Sequence, residues 1–295
     1  MDHKESFLKY LQAEKRYSPL TARSYLNDLD QFYNHLGQDA SACDPASVTS
    51  HDVRSWIVSL MEKGLTAKSI HRKISSLRVF YRFLRKEGIT GSDPLEKVVM
   101  PKMRKKLPVF VEEDIIDRLL DEYDFGNDFA GIRNNLIIEM LYLTGIRRAE
   151  LTGLRDADVD MSSGSLKVTG KRNKQRIIPL LNPFTLKIER YLKARDEMFP
   201  GKGQEWFFVS NRGNKLYDKY VYNVVRKYLS MVTTMEKKSP HVLRHSFATH
   251  MLNHGADLNS IKELLGHANL SATQIYTHNS FEKLIKIYRQ AHPRA

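Results

Sequence analysis

The sequence predicts a mainly α-helical protein with a small β-sheet, organised as a helical N-terminal domain followed by an α+β domain. Apolar residues recur at helical spacing through most of the chain, and the pattern changes to a period of two only between Asp158 and Leu180. A length of 295 residues is also sufficient for two domains of ordinary size. We therefore expect two separate hydrophobic cores.

The composition is typical of a globular protein that binds a polyanion. Lys and Arg exceed Asp and Glu by 13, and the isoelectric point is near 9.6. This excess favours nucleic acid over a membrane surface, because no basic amphipathic anchor stands out. We expect no membrane span and no signal peptide, since no apolar run approaches the roughly 20 residues of a span. The single cysteine, Cys43, excludes an internal disulfide and fits a reducing cytoplasm.

Residues 1–88 predict a bundle of four helices. The expected helices cover Glu5 to Glu14, Ser18 to Gly37, Ser50 to Gly64 and Thr66 to Gly88. One face of the fourth helix carries a row of cations with few acidic residues to balance them. The cations of this row are His71, Arg72, Lys73, Arg78, Arg82 and Arg85. A solvated surface is the ordinary explanation for such a row, but the imbalance favours contact with a DNA backbone.

Residues 89–107 predict a basic linker between the domains. Gly and Pro punctuate the segment, and the stretch PKMRKKLP concentrates cations just before the second domain. A basic connector of this kind suits a chain that wraps around a duplex. We therefore add Lys102, Arg104 and Lys105 to the predicted DNA contacts.

Residues 108–295 predict the α+β domain. Its expected helices cover Glu112 to Asp121, Asp128 to Leu143, Asn182 to Phe199, Asp218 to Val232 and Phe281 to Gln290. The period-two stretch predicts a hairpin or a three-stranded sheet with a cationic tip at 170–174, and 206–209 predicts a further short strand. The last helix is so apolar that we expect it to dock on another surface.

The stretch from Ser239 to His278 concentrates chemically active side chains. Ser239 and Pro240 predict a helix start, whose free N–H groups and positive dipole end favour an anion. His241 and Arg244 lie three residues apart in its first turn. Histidine pairs four residues apart also raise the alternative of a zinc site. However, the pairs at 241/245 and 250/254 fall on opposite helix faces, and no HExxH pattern accompanies them.

Three segments of this stretch, HVLRHSFATH, LLGH and TQIYTH, resemble the C-terminal signature of the tyrosine recombinase (phage integrase) family, with the Xer type most similar. The upstream segment TGIRRAELTGL, from Thr144 to Leu154, matches the other signature of that family. The resemblance implies a SAM-like core-binding domain at 1–88 and a tyrosine-recombinase catalytic domain at 108–295.

The resemblance also implies the site residues. The implied catalytic residues are Arg147, Lys171, His241, Arg244, His267 and Tyr276. Tyr276 would be the nucleophile and the two arginines would bind the phosphate oxygens. Lys171, with Lys174 close by on the same hairpin tip, would protonate the leaving oxygen. His241 would help deprotonate the tyrosine, His267 would hydrogen-bond the phosphate, and Glu150 would orient Arg147.

The implied activity is site-specific DNA recombination through a 3′-phosphotyrosine intermediate, without metal, nucleotide or other cofactor. It would serve chromosome-dimer resolution, hence chromosome partition at cell division, or mobile-element integration and excision. The implied partners are double-stranded DNA with paired inverted half-sites and a homo- or hetero-tetramer formed by exchange of the C-terminal helix. A second recombinase and a septal DNA translocase are further candidates, in a bacterial cytoplasm at the nucleoid. A type IB topoisomerase and a non-catalytic DNA-binding protein are the rival interpretations.

Overall fold

The structure, a computed structural model, describes residues 3–37, 44–103, 109–170, 173–201, 203–266 and 278–294. The chain forms two compact units, Met1–Lys106 and Leu107–Ala295. Each has its own hydrophobic core. The prediction of a mainly helical protein with one small sheet is confirmed.

The N-terminal unit contains the four predicted helices. They are α1 (His3–Lys9, extended by a π-helical turn, Tyr10–Glu14), α2 (Pro19–His35), α3 (Ser50–Glu62) and α4 (Ala67–Lys86). The side chains of Ser18, Thr49 and Thr66 each accept a hydrogen bond from a main-chain N–H in the first turn of the helix that follows. The sequence therefore marks these helix starts through ordinary capping.

Aromatic rings make up much of the core of the N-terminal unit. The rings of Phe7 and Phe80 meet edge to face with centroids 5.1 Å apart, and those of Phe32 and Trp56 meet similarly at 5.2 Å. Such pairs add roughly 0.5 to 1.5 kcal/mol beyond the burial of their surface. The apolar faces of α1, α2, α3 and α4 are thereby held together.

The predicted basic face of α4 is only partly present. Lys73 is buried, and its ammonium donates to Asp28 at 2.9 Å; the prediction that it lies on an exposed DNA-binding face is wrong. Its spacing explains the error, because it lies three residues after Ile70 and four before Leu77, on the inward side of the helix. Arg72 also pairs with Asp28, with its side chain 48% exposed.

The three arginines in the second half of α4 do face solvent. Arg78, Arg82 and Arg85 are exposed, and together with Lys86 and Asp93 they line a groove of about 470 Å³. The electropositive surface of this unit is therefore narrower than predicted, but it is continuous along the second half of α4.

Much of the predicted linker belongs to the first unit. Thr90, Leu95 and Val98 are buried, and the last two join its core. His71 lies 2.8 Å from the carbonyl oxygen of Pro101, in hydrogen-bond contact. Lys102 is exposed. Predicted contacts Arg104 and Lys105 lie outside the described residues.

The second unit contains the following elements. They are α5 (Glu113–Asp117, extended by a π-helical turn, Arg118–Glu122), α6 (Phe129–Thr144), α7 (Arg148–Leu151), β1 (Val159–Asp160), β2 (Ser165–Thr169), β3 (Gln175–Pro179), α8 (Asn182–Met198), α9 (Asp218–Val232), α10 (Pro240–Asn253), α11 (Leu258–Leu265) and α12 (His278–Ala291). The sheet is antiparallel in the order β1-β2-β3, with Leu166 opposite Ile178. The strand predicted at 206–209 is reduced to a single bridge between Val209 and Lys215.

The last helix packs on its own unit. Leu284 and Tyr288 are buried, and the Tyr288 hydroxyl donates to the carbonyl oxygen of Leu143 at 2.8 Å. Beyond α12, Arg294 donates to Asp117 and to Asp121, both at 2.8 Å. The expectation that the apolar face of this helix needs another surface is therefore met within the single chain. Exchange with a neighbouring subunit would first have to release these contacts.

Within the described part of the chain, no helix combines the length and the apolar character that a membrane crossing requires.

Candidate active site

A glycine turn after α6 creates the floor of the site. Gly145 has a φ of +57°, and a Cβ atom there would lie 2.6 Å from Cδ1 of Phe247 and 2.8 Å from Cδ2 of Leu265. Both the backbone angle and the lack of space therefore require glycine. The turn directs the carbonyl oxygen of Gly145 at the guanidinium of Arg244, which donates to it.

Arg147 and Glu150 are joined at the start of α7. The main-chain N–H of Arg147 donates to Oε2 of Glu150 at 2.8 Å, and its side-chain Nη1 donates to Oε1 at 2.7 Å. The side chain of Arg147 is 38% exposed whereas that of Glu150 is 5% exposed. The buried carboxylate thus caps the helix and fixes a guanidinium that still reaches solvent.

Arg244 lies in the second turn of α10 and is almost fully buried. In addition to Gly145, its guanidinium donates to the carbonyl oxygen of Leu265 at 2.6 Å. Burial, together with the positive charges of Arg147 and Arg176, lowers the pKa of Arg244 to about 9. The side chain therefore remains charged at neutral pH, in a place where an additional anion would stabilise it.

Arg176 is a member of this cluster that sequence reasoning missed. Its Nη1 and Nη2 donate to the two oxygens of Glu150 at 3.2 and 2.8 Å, and its Nε donates to the carbonyl oxygen of Leu264 at 2.7 Å. A signal was available in the period-two pattern of β3. Arg176 occupies the same inward face as Ile178, where a lone charge needs a buried partner.

The carboxyl of Glu150 therefore faces both Arg147 and Arg176. Burial alone would raise its pKa, but the hydrogen bonds from the two guanidinium groups outweigh burial and hold the pKa below its ordinary value. With Arg244 alongside, the cluster sets three guanidinium charges against one carboxylate. The surplus of positive charge is what a phosphodiester would neutralise.

An open cleft of about 400 Å³ lies beside these arginines, between the start of α7 and the start of α10. Its lining includes Arg147, Arg148, Tyr222, Ser239, His241 and Arg244. His241 is exposed in the first turn of α10. The predicted side-chain cap is absent, since Ser239 instead accepts the N–H of Val242 through its main-chain carbonyl at 2.9 Å.

The histidine pairs do not form a metal site in the described residues. His250 is buried with Nδ1 2.9 Å from the hydroxyl of Tyr142, and His254 contacts Glu113 at 3.0 Å. No group of three or more His, Cys, Asp or Glu side chains is arranged to hold a metal within this part of the chain. His250 thus packs in the core, and His254 makes a polar contact with Glu113.

Of the predicted site residues, the structure brings Arg147, Glu150 and Arg244 into one network and places His241 at the rim of the same cleft. Lys171, His267 and Tyr276 lie outside the described residues. Lys174 is exposed, and its carbonyl oxygen accepts the N–H of Gly170 at 2.7 Å, which closes the base of the hairpin tip.

Two family profiles match the chain. That of the Phage integrase family matches residues 109–283, and that of the phage integrase N-terminal SAM-like domain matches residues 5–88. The chain is 41% identical to a tyrosine recombinase XerC of Chlorobaculum parvum, over 99% of this chain and 94% of that protein. It is 39% identical to a tyrosine recombinase XerC of Pelotomaculum thermopropionicum, over 99% and 98%.

Solved structures with the same fold include two that contain DNA. The XerH site-specific recombinase in a post-cleavage complex with palindromic difH substrate gives a TM-score of 0.68 at 21% identity, covering 97% of this chain and 94% of that one. The Tn1549 transposon integrase in complex with transposon right end DNA gives a TM-score of 0.68 at 20% identity, covering 97% and 99%.

Proposed function

The chain belongs to the phage integrase family and is a tyrosine recombinase, an enzyme that breaks and rejoins DNA strands at specific sites, and from this premise we propose which residues perform the reaction and how the chain assembles on DNA. The observation that carries the assignment is the convergence of Arg147 and Arg244 on one cleft. The two cations are almost a hundred residues apart in the sequence. Hydrogen bonds to the buried Glu150 and to the carbonyl oxygen of Gly145 hold them in place.

Tyr276 is the nucleophile in this proposal. Its phenolic oxygen attacks the scissile phosphorus, a bond from phosphorus to the tyrosine oxygen forms, and the bond to the 5′-oxygen breaks. The products are a 3′-phosphotyrosine and a 5′-hydroxyl, which takes up one proton. Attack by a second 5′-hydroxyl reverses the chemistry on another strand, so that strand exchange needs no ATP.

Arg147 and Arg244 stabilise the charge that develops on the non-bridging oxygens. A guanidinium fork matches two such oxygens, and both side chains carry their charge at neutral pH. These two side chains fill the electrostatic role given to magnesium in other phosphoryl-transfer sites, and the proposal includes no metal or other cofactor. The exposed fraction of Arg147 leaves it free to contact the backbone of a duplex.

Proton transfers fall to the remaining predicted residues. Lys171 at the hairpin tip protonates the leaving 5′-oxygen, with Lys174 as the alternative on the same tip. His241 assists deprotonation of the tyrosine from the rim of the cleft, and His267 donates to the phosphate.

The substrate in this proposal is double-stranded DNA with paired inverted half-sites. The solved relatives complexed with DNA, one on a palindromic site, favour a chain that acts in symmetric pairs. Arg78, Arg82 and Lys102 of the N-terminal unit contact the DNA backbone through their exposed charge. The proposal also includes contacts from Arg104 and Lys105, which follow from the basic sequence of this segment alone. Arg72 contributes less, because Asp28 already binds it.

Four copies assemble on two DNA sites, as a homo- or hetero-tetramer, by exchange of α12. The contacts that hold the helix within its own unit would re-form with the same partners on a neighbouring subunit. An identity of about 40% over almost full length to proteins named XerC favours chromosome-dimer resolution in a bacterial cytoplasm, at the nucleoid, over a mobile-element role. Chromosome-dimer resolution brings in a second recombinase and a septal DNA translocase as partners.

Covalent trapping tests the nucleophile. A duplex recovered by selection on the Tyr276→Phe variant would be nicked near the scissile position, so that the cut strand cannot be rejoined. The wild-type protein should then form a denaturant-resistant adduct, and the Tyr276→Phe protein should bind the same DNA without forming one. An adduct in the variant would assign another nucleophile. Circle resolution with two such sites separates recombination from the swivelling of a topoisomerase.

Charge reversal tests helix exchange. Arg294→Asp in one preparation and Asp121→Arg in another should each abolish strand exchange, because like charges would meet where residues 294 and 121 are in contact. A mixture of the two should regain it, since alternating subunits restore opposite charges at every contact. Failure of the mixture, with both proteins still binding single sites, would mean that α12 stays on its own subunit.

A further inference from the structure

The buried guanidinium of Arg176 connects parts of the catalytic unit that are distant in the sequence. It lies on β3, contacts both oxygens of Glu150 on α7, and donates to the carbonyl oxygen of Leu264 in the last turn of α11. Its side chain is 4% exposed. These contacts leave it no route to solvent or to DNA.

Three consecutive carbonyl oxygens at the end of α11 each accept from a different arginine. Leu264 accepts from Arg176 at 2.7 Å and Leu265 accepts from Arg244 at 2.6 Å. Gly266 accepts from Arg147 through a longer contact of 3.4 Å. The final carbonyls of a helix lack partners within the helix and lie at its negative dipole end, so guanidinium groups suit them well.

Arg176 differs from the other two arginines in what it binds. Arg147 and Arg244 are the proposed phosphate ligands, whereas Arg176 contacts Glu150 and α11, the groups that hold those ligands. Gly266, which follows Leu265, also leaves room for it: a Cβ atom there would lie 3.1 Å from Cδ of Arg176. The backbone of Gly266 and the side chain of Arg176 therefore fit together at the point where the chain leaves α11.

We propose that Arg176 is a positioning residue for DNA cleavage: it fixes Glu150, and through it Arg147, against the end of α11, so that both phosphate-binding guanidinium groups are held in their reactive geometry. The inference rests on the proposed roles of Arg147 and Arg244. Donation to both oxygens fixes the orientation of the Glu150 carboxylate, and that carboxylate is the group that binds Arg147. Without it, Glu150 keeps only its contacts to Arg147, and the carbonyl of Leu264 loses its donor.

Substitution should slow cleavage without weakening DNA binding. Arg176→Met keeps most of the volume and removes the donors. A displacement of a clamp residue by about 1 Å costs on the order of 100-fold in rate. We therefore expect adduct formation on the nicked duplex, at saturating DNA, to fall about 100-fold, with the dissociation constant within about threefold of wild type. Arg176→Lys, which restores charge and a donor, should recover about tenfold of that loss.

Arg195 offers a matched control in the same unit. It too is about 4% exposed, donates to both oxygens of a carboxylate, that of Asp156, and donates to a main-chain carbonyl, that of Phe207. Arg195→Met should reduce the melting temperature to a similar degree but leave the cleavage rate of the folded protein unchanged. Equal rate losses in the two variants would assign Arg176 to folding alone and overturn the proposal.

A modified substrate separates positioning from general damage. In a duplex whose scissile phosphate carries a methyl group in place of one non-bridging oxygen, the phosphate is uncharged, and the arginine clamp has less charge to stabilise. The deficit of Arg176→Met should shrink from about 100-fold to below about tenfold on this substrate. An undiminished deficit would overturn the proposal. Absence of any wild-type adduct on either substrate would instead contradict the proposed function, so the two failures are distinguishable.

Discussion

The two units of the protein use arginine in opposite ways. On α4 of the N-terminal unit, Arg78, Arg82 and Arg85 are exposed along an open groove. In the catalytic unit, Arg176 and Arg244 are about 4 to 6% exposed and donate to main-chain carbonyls and to a buried carboxylate. Exposed cations keep their hydration and their rotational freedom, whereas the buried ones have lost both before any DNA arrives.

This difference implies a division of labour. An exposed guanidinium exchanges one solvated partner for another, so that it adds to affinity through counterion release and little else. A fixed, desolvated guanidinium needs no reorganisation when charge develops on a phosphate, and that is the condition for lowering a barrier. We expect the N-terminal unit to set how tightly DNA binds and the catalytic cluster to set how fast it is cut.

The largest expected effect tests that division directly. Arg244→Ala should reduce the single-turnover cleavage rate at saturating DNA by at least about 1000-fold, because a preorganised donor is lost. Arg78→Ala, the matched removal of an exposed arginine, should leave that rate within about twofold. Rates would be read from covalent adduct formation over time. Comparable rate losses in both variants would contradict this division of labour between exposed and buried arginines.

The second largest effect concerns the stability of the N-terminal unit, where Asp28 lies at the centre of a buried charge cluster. Asp28 is 2% exposed and accepts from Arg72, Lys73 and Ser76. Asp28→Ala leaves the ammonium of Lys73 buried without its carboxylate, so we expect a loss of about 3 to 5 kcal/mol in the free energy of unfolding. Denaturant titration measures it.

The control lies two residues along the same helix. Asp30 binds Lys4 with both side chains more than 30% exposed. Asp30→Ala should cost less than about 1 kcal/mol. If the two substitutions cost the same, burial does not distinguish these ion pairs, and the contrast between exposed and buried charge would lose its basis.

At low pH the catalytic unit should lose more stability than the N-terminal unit, and this difference should be smaller than the effect of Asp28→Ala. Burial, reinforced by the nearby His250, lowers the pKa of His292 to about 3. Between pH 6.5 and 3 the unfolded chain therefore binds a proton that the folded chain does not, and stability falls as the pH falls, by about 1.4 kcal/mol per pH unit. His292 stacks on Tyr288 of α12 with ring centroids 4.9 Å apart. Protonation of His292 should therefore weaken the packing of α12 on the catalytic unit.

The N-terminal unit should resist the same change. Burial would raise the pKa of Asp28, but its hydrogen bonds from Arg72 and Lys73 hold that pKa below its ordinary value. Its contribution to stability is complete above the ordinary value near 4 and is lost only as the pH falls through the lower folded pKa. Calorimetry at pH 7.5 and pH 5 should show the catalytic unit alone losing about 2 kcal/mol, and His292→Phe should remove most of that loss.

The smallest expected effect is on DNA affinity and comes from the exposed arginines of α4. Arg78→Ala should lower DNA affinity several-fold, and it should flatten the plot of log affinity against log salt by about one unit. Titrations at several salt concentrations would show both. An unchanged slope would mean that Arg78 contacts no phosphate, and the groove on α4 would then need another role.

Much of this fold was readable from the sequence because the signals are local. Helix starts at Ser18 and Thr66 and the glycine end of α6 follow from capping rules, and the structure places them as predicted. The link between Arg147 and Glu150 was also predicted, from the resemblance to a known family. Local spacing is enough wherever neighbours in sequence satisfy each other.

Contacts between residues distant in the sequence could not be predicted. Lys73 looked like part of a basic row, since its partner Asp28 is forty-five residues away. Arg176 looked like an ordinary strand residue, because the carboxylate and the carbonyl that bind it belong to other elements. The same holds for α12, whose apolar face indicated docking but not which subunit it would dock on. In each case the missing information is a contact distant in sequence.

The end of α11 has a consequence for which sequence changes the enzyme can tolerate. The acceptors at 264–266 are main-chain oxygens, so that their presence depends on helix position and not on the identity of any side chain. Alanine scanning would therefore overlook them. A single-residue insertion within α11, in contrast, would rotate its end by about 100° and advance it by about 1.5 Å, and all the acceptors would leave their arginines together. The acceptors of this short helix should therefore survive a change of side chain, provided that the helix stays folded, but not a change of its length.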